Sequence, residues 1–113
     1  MDNEKRKKLK EQYATRRVVG GVYAVHNTQN GKRLLFSTTD MPGSLNRFNF
    51  AQQMGGCLHP KLRGEWGING SSFAFEVIEE LIKKEDQSDS EFKQDVEALI
   101  KMTREKYSEE QLY

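Results

Sequence analysis

The stretch VVGGVYAVHNTQNGKRLLFST, residues 18–38, constrains the fold more than any other part of the chain. Residues 18–26 are rich in β-branched side chains and predict a strand, because such side chains pack well on a pleated surface. Asn30-Gly31 predicts a tight turn, since both residues tolerate positive φ. Residues 33–38 return as a second strand, with Leu34 and Phe36 on one face and Arg33 and Leu35 on the other.

The chain around this hairpin supplies helices and one more strand. Residues 4–15 predict a helix in which Leu9 and Tyr13 stand four apart. Asp40 to Gly43, with Pro42, breaks the chain. Leu45, Phe48 and Ala51 then recur at helical spacing from about residue 43 to 54, and Gly55-Gly56 ends the helix. Pro60 suits the first turn of a short helix whose Leu62 and Trp66 share a face. After the Asn69-Gly70 turn, residues 72–80 predict a third strand with Phe73, Phe75 and Val77 on one face. The last helix is predicted over 89–107, with Ser88 and Glu91 at capping-box spacing and an apolar stripe of Phe92, Val96, Leu99, Ile100, Thr103 and Tyr107. This order predicts a small α+β domain, a three-stranded and mostly antiparallel sheet flanked by helices.

Length and composition bound the function classes. The 113 residues predict one folded domain over 18–113, preceded by a basic helix or extension over 1–17. No apolar run approaches the ~18 residues of a membrane span, so no membrane partner is expected. The N-terminus lacks the apolar core of a secretory signal, and a single cysteine excludes an internal disulfide framework. Together these predict a cytoplasmic location. The net charge of +1 hides an asymmetry. Residues 1–20 carry seven Lys/Arg against three Asp/Glu, residues 21–84 seven against five, and residues 85–113 four against nine. The first two thirds can therefore face an anionic partner, and the acidic last third argues against a nucleic-acid coat over the whole surface.

Isolated motifs carry little chemistry. His26, Cys57 and His59 form no paired metal-ligand motif. Cys57 reads as a small core residue, and His59 before Pro60 as a helix-entry residue. Gly55-Gly56 lacks the Gly-Lys-Ser/Thr ending of a phosphate-cradling loop. A period of two places Glu76 and Glu80 on one side of their strand and Glu79 on the other, which describes a solvated sheet edge and not an acid–base pair.

The ordered series is more specific than any one motif. Gly21-Val22-Tyr23, Asn27, Asn30-Gly31-Lys32, Gly56, His59, Leu62, Trp66, Gly70 and Phe73-Ala74-Phe75-Glu76 resemble, in that order, the GIY-YIG nuclease family. The resemblance spans roughly residues 20–107, extends to short bacterial proteins of that type, and implies a GIY-YIG-like fold. It implies hydrolysis of a DNA phosphodiester with one divalent metal, Mg²⁺. In that chemistry a first-strand tyrosine helps to activate water, a second tyrosine and a helix arginine support the phosphate, and a later glutamate binds the metal.

Carried over residue by residue, the site is incomplete. Tyr23 matches the first tyrosine, but the second falls on Leu34 and Phe36 stands where that tripeptide has glycine. The arginine falls on Ser44, with Arg47 one turn further on, a histidine position falls on Phe48, and the metal glutamate falls on Glu97. The leading expectation is therefore a degenerate GIY-YIG-like domain that binds nucleic acid, DNA by the resemblance, with lost or much reduced nuclease activity. Lys32, Arg33, Arg47, Lys61 and Arg63 would supply its phosphate contacts. One alternative is a metal-dependent endonuclease using Tyr23, Arg47 and Glu97, and only then is Mg²⁺ required. Another is a protein-interaction module or homodimer that keeps only the fold.

Overall fold

A computed structural model describes residues 17–67 and 70–113. The helix expected over 4–15, with Leu9 and Tyr13, and Asn69 of the second Asn-Gly turn lie outside the described residues. The predicted hairpin is present as β1 (Val19–Asn27) and β2 (Arg33–Thr38). Its turn closes through Gly31, whose φ of 77° suits a residue without Cβ. β3 (Phe73–Ile82) pairs with the other side of β1, giving an antiparallel sheet in the order β2-β1-β3. With helices α1 (Met41–Met54), α2 (Arg63–Trp66) and α3 (Asp89–Arg104), the fold is of the α+β class. Among the described residues no helix is long and apolar enough to cross a membrane.

Local chemistry sets the helix limits. Asp40 caps α1 by accepting from the Gly43 amide at 3.1 Å, so the helix starts at Met41, ahead of the expected residue 43, and Pro42 occupies its first turn. Pro60 opens a 3₁₀ turn, Pro60–Leu62, that runs into α2. In α3, Ser88 Oγ accepts from the Glu91 amide at 3.1 Å and Glu91 Oε1 accepts from the Ser88 amide at 3.3 Å, the reciprocal box that the spacing predicts. α3 stops at Arg104 and not at 107, and Tyr107 instead lies under the Arg33 guanidinium, 5.8 Å from ring centre to Cζ.

The sheet separates two packed layers. Tyr23, Val25, Leu34 and Phe73 face α1 and α2, where they form one core with Met41, Phe48, Leu62 and Trp66. Gln52 ties α1 to β3 by donating to the carbonyls of Gly70 and Phe73, each at 3.0 Å. On the opposite face, Val22, Ala24 and Leu35 are buried under α3. Phe92 of α3 lies so close to Gly20 that a Cβ there would stand 2.9 Å from Phe92 Cζ. Phe92 is fully buried, which contributes about 1.5–3 kcal/mol relative to an exposed ring.

One feature of the sheet overturns the expected alternation. Tyr23 pairs with Val77 but Val22 pairs with Glu79, so Ile78 is an extra residue in a β-bulge. The register then puts Glu76 and Glu79 on the α3 side, and Glu80 on the α1 side, where it lines a groove with Phe75 and Val77. Gly21 sits opposite the bulge at a φ of 133°, and a Cβ there would meet the Glu79 carbonyl at 2.0 Å. Glycine is required at this position of the Gly21-Val22-Tyr23 tripeptide by the sheet itself.

Candidate functional site

The hairpin and α1 bring Tyr23 and Arg47 to one place. Tyr23 opposes Phe36 across the β1–β2 ladder, and its ring lies between Phe36 at 5.0 Å and Phe75 at 4.6 Å, both stacked. His59 meets the outer ring, Phe36, edge-on at 5.8 Å. This aromatic wall leaves the tyrosine hydroxyl at the end of β2 nearest α1. There Ser44, buried to 3 % exposure, collects the polar groups. Its Oγ donates to Thr38 Oγ1 at 2.8 Å and accepts from Arg47 Nη2 at 3.1 Å. Thr38 Oγ1 in turn accepts from the Asp40 amide at 3.0 Å, so the network is anchored to the cap of α1.

The Tyr23 hydroxyl is part of the same network. Burial pushes its pKa above the ordinary 10.0, while hydrogen bonding to Ser44 and the positive charge of Arg47 pull it part of the way back. The net upward shift keeps the hydroxyl protonated at neutral pH. It can donate to or accept from a ligand oxygen, but it is a poor base. Arg47 is exposed on α1, with Phe50 and Met54 following at i+3 and i+7 on the same stripe, both more than half exposed. The site therefore presents one cation, one neutral hydroxyl and apolar surface.

The expected metal ligand is elsewhere. Glu97 is exposed on α3, on the far side of the sheet from Tyr23 and Arg47. Ser44 and Arg47 are the polar groups that pull the Tyr23 pKa down, and the nearby Asp40 carboxylate is engaged in capping α1. Among the described residues there is also no cluster of three or more His, Cys, Asp or Glu that could hold a metal ion. The side chains around Tyr23 do not fit the divalent metal that the resemblance implies. Leu34, at the second tyrosine position, is a core residue at 8 % exposure.

Three of the remaining basic candidates meet at the other end of β2. Leu112 pairs with Arg33 in a short parallel bridge, and the Tyr113 amide donates to the Arg33 carbonyl at 3.0 Å. This C-terminal segment closes one side of a cleft of about 320 Å³ that Arg33, Lys61 and Arg104 also line. Lys32 stands over the Tyr113 ring at 5.8 Å. Arg33 is itself paired with Glu76 at 3.1 Å, and His26 reaches the same carboxylate at 3.3 Å. Arg63 is exposed on α2 and does not line the cleft.

The long-range side-chain bonds of several organising residues carried no sequence signal of their own. Buried Asn27 donates to Glu65 at 2.7 Å and to the Tyr113 hydroxyl at 3.0 Å, and Asn30 donates to Glu65 at 2.9 Å. The Tyr113 hydroxyl donates to the same carboxylate, and this bond is the main cause of a lowered Glu65 pKa. These partners lie 35 to 86 residues apart, beyond any local pattern. Ser44 was findable only as the position where the resemblance expects arginine. Cys57 is exposed and not a core residue, because it falls in the irregular segment between α1 and the 3₁₀ turn; its Sγ donates to the His59 carbonyl at 3.0 Å. His59 does serve helix entry, with Nδ1 accepting from the Lys61 amide at 3.1 Å.

Fold and site together define an α+β domain with a hydroxyl–arginine cluster at one end of its hairpin and a basic cleft at the other. Comparison with protein-family models, curated proteins and solved structures finds no match to this chain.

Proposed function

We propose that the protein binds nucleic acid through phosphate contacts along the β2 side of the molecule, as a degenerate GIY-YIG-like domain with lost or much reduced nuclease activity. The observation that carries this reading is Ser44 Oγ. It holds the exposed Arg47 guanidinium beside the buried, protonated Tyr23 hydroxyl, so the cation faces solvent with a neutral polar group fixed beneath it. Lys32 and Lys61, beside the start of β2, extend the positive surface, and Arg33 is held there by its pair with Glu76. Five residue steps along β2 separate the two ends, ~17 Å at the rise of an extended strand, a span that one nucleic-acid strand can bridge. Two features weigh against cleavage by the implied route. Glu97 is on the other layer, and the raised Tyr23 pKa disfavours the phenolate that would activate water.

Fluorescence anisotropy with a labelled duplex, at low and moderate salt, tests the proposal. The expected result is salt-sensitive binding that weakens in Arg47→Ala, with the log K against log salt slope reduced by about one for the lost phosphate contact. No binding at low salt, or binding indifferent to Arg47→Ala, would refute it.

A further inference from the structure

The cleft at the start of β2 has a charge pattern that internal backbone contacts do not require. Lys61 and Arg104 are both exposed, and among the described residues neither has a carboxylate within 4.0 Å. Both line the same concave space at the edge of β2, which Leu34 and Leu35 also line. The third cation, Arg33, is paired with Glu76, and Glu109 is the one acidic side chain among the described residues that line the cleft. The C-terminal segment lies against the edge of β2 here, through the Leu112–Arg33 bridge and the Tyr113 amide. The C-terminal segment therefore forms a wall of the cleft at the Arg33 end of β2.

The geometry points to a phosphomonoester site, in which Lys61 and Arg104 clamp the terminal phosphate of a nucleic-acid strand. A monoester carries a charge of about −1.5 to −2 at neutral pH, which two otherwise unpaired cations balance, whereas an internal diester carries a single charge. Arg33, held by Glu76 and by Tyr107 beneath it, is part of the wall, and the two exposed cations do the clamping. This inference rests on the nucleic-acid reading above. The same chemistry is presented by a free monophosphate, so the experiment separates the two sources.

One labelled oligonucleotide is compared by anisotropy with 5′-phosphate, 3′-phosphate or hydroxyl ends. The proteins are the unchanged chain, Arg47→Ala, and the double variant Lys61→Ala/Arg104→Ala. Both altered positions of the double variant are exposed, so its fold is kept, and far-ultraviolet circular dichroism checks this. One phosphorylated end is expected to bind about ten-fold more tightly, the scale of one charge-assisted contact. The double variant abolishes that preference, and Arg47→Ala weakens all three oligonucleotides alike. Equal binding of all three by the unchanged chain overturns the terminal site and leaves the nucleic-acid reading standing. If no oligonucleotide binds, that reading falls, and calorimetric titration with adenosine monophosphate decides the cleft. Binding that is lost in the double variant assigns it to free monophosphates, and no binding overturns the site altogether.

Discussion

Ser44→Ala in combination with Tyr23→Phe tests the polar network on which the functional reading depends. Ser44 is 3 % exposed and Tyr23 is 8 % exposed, so water replaces lost partners poorly at either position. The Ser44→Ala change deletes the 2.8 Å bond to Thr38, the anchor of Arg47, and the partner of the Tyr23 hydroxyl. The Thr38 bond alone contributes about 1 kcal/mol, and leaving the Tyr23 hydroxyl unpaired raises the total to about 3 kcal/mol. Arg47 adds little to stability, because its guanidinium is exposed. Tyr23→Phe keeps the ring between Phe36 and Phe75 and removes only the hydroxyl, at a cost of about 0.5–1.5 kcal/mol. In the double variant no hydroxyl is orphaned, so the combined loss is expected to fall short of the sum by at least about 0.5 kcal/mol. Urea unfolding followed by the fluorescence of the single tryptophan, buried Trp66, reads all three values as midpoint shifts at constant slope. Ser44→Ala should also weaken duplex binding, and should add nothing to the effect of Arg47→Ala, since a buried hydroxyl acts on the ligand only by positioning that arginine. Additive stabilities, or additive losses of affinity, would refute the network.

Other perturbations test the fold and its ionisations. Gly21→Ala forces both a forbidden φ and a 2.0 Å contact with the Glu79 carbonyl, whereas Gly31→Ala meets nothing within 4 Å. Unfolding curves should therefore show a loss of about 1 kcal/mol for Gly31→Ala and about 2–5 kcal/mol for Gly21→Ala, with equal losses counting against the bulge. Phe92→Ala should cost about 3–5 kcal/mol by the same assay, from lost burial and the cavity left against Gly20. Tyr23 and Tyr113 both have raised pKa values in the folded chain, chiefly through burial, so their contribution is fully present below pH 10.0 and is lost as pH rises through that value and beyond. Stability measured from neutral to high pH should fall in that window, and less steeply in Tyr23→Phe. The exposed Cys57 thiol should react fully with a thiol reagent in the native protein, without urea.

The elements that sequence reading identified are those fixed by local chemistry. The Asn30-Gly31 turn needs only its own φ angles, the Ser88–Glu91 box only neighbouring amides, and the stripe through Phe92 and Val96 only helical spacing. The errors fall where distant pairing decides. FAFEVIEELI alternates acceptably on its own, and nothing within β3 reveals that Ile78 is the extra residue. The usable signal lay in the partner strand. Two adjacent glycines, Gly20 and Gly21, interrupt an otherwise β-branched run, and glycine inside a strand marks a bulge or a close approach. The same limit applies to the site. Tyr23 and Arg47 are legible one at a time, but Ser44 and Thr38 acquire their role only when α1 folds back over the end of β2.

On the proposed reading, the positions that depart from the GIY-YIG pattern share one physical direction. Leu34 packs into the core, Phe36 stacks on Tyr23, and Ser44 is buried beneath Arg47. Leu34 and Ser44 stand where the resemblance expects groups that act on a phosphate, Phe36 stands where it expects glycine, and each acts on the protein instead. The cation is displaced by three residues, about 4.5 Å along the axis of α1. Binding and hydrolysis respond differently to such a displacement. Coulomb attraction between a guanidinium and a phosphate falls only inversely with distance, and a flexible arginine recovers much of the remainder by reaching. In-line attack on phosphorus needs reacting atoms within ~3–3.5 Å and aligned, where a 1 Å misplacement costs about 10²-fold. A hairpin that has exchanged catalytic groups for packing can thus keep its affinity for a phosphate backbone after it has lost the means to cleave one, and Arg47 is the residue on which that distinction is most directly measured.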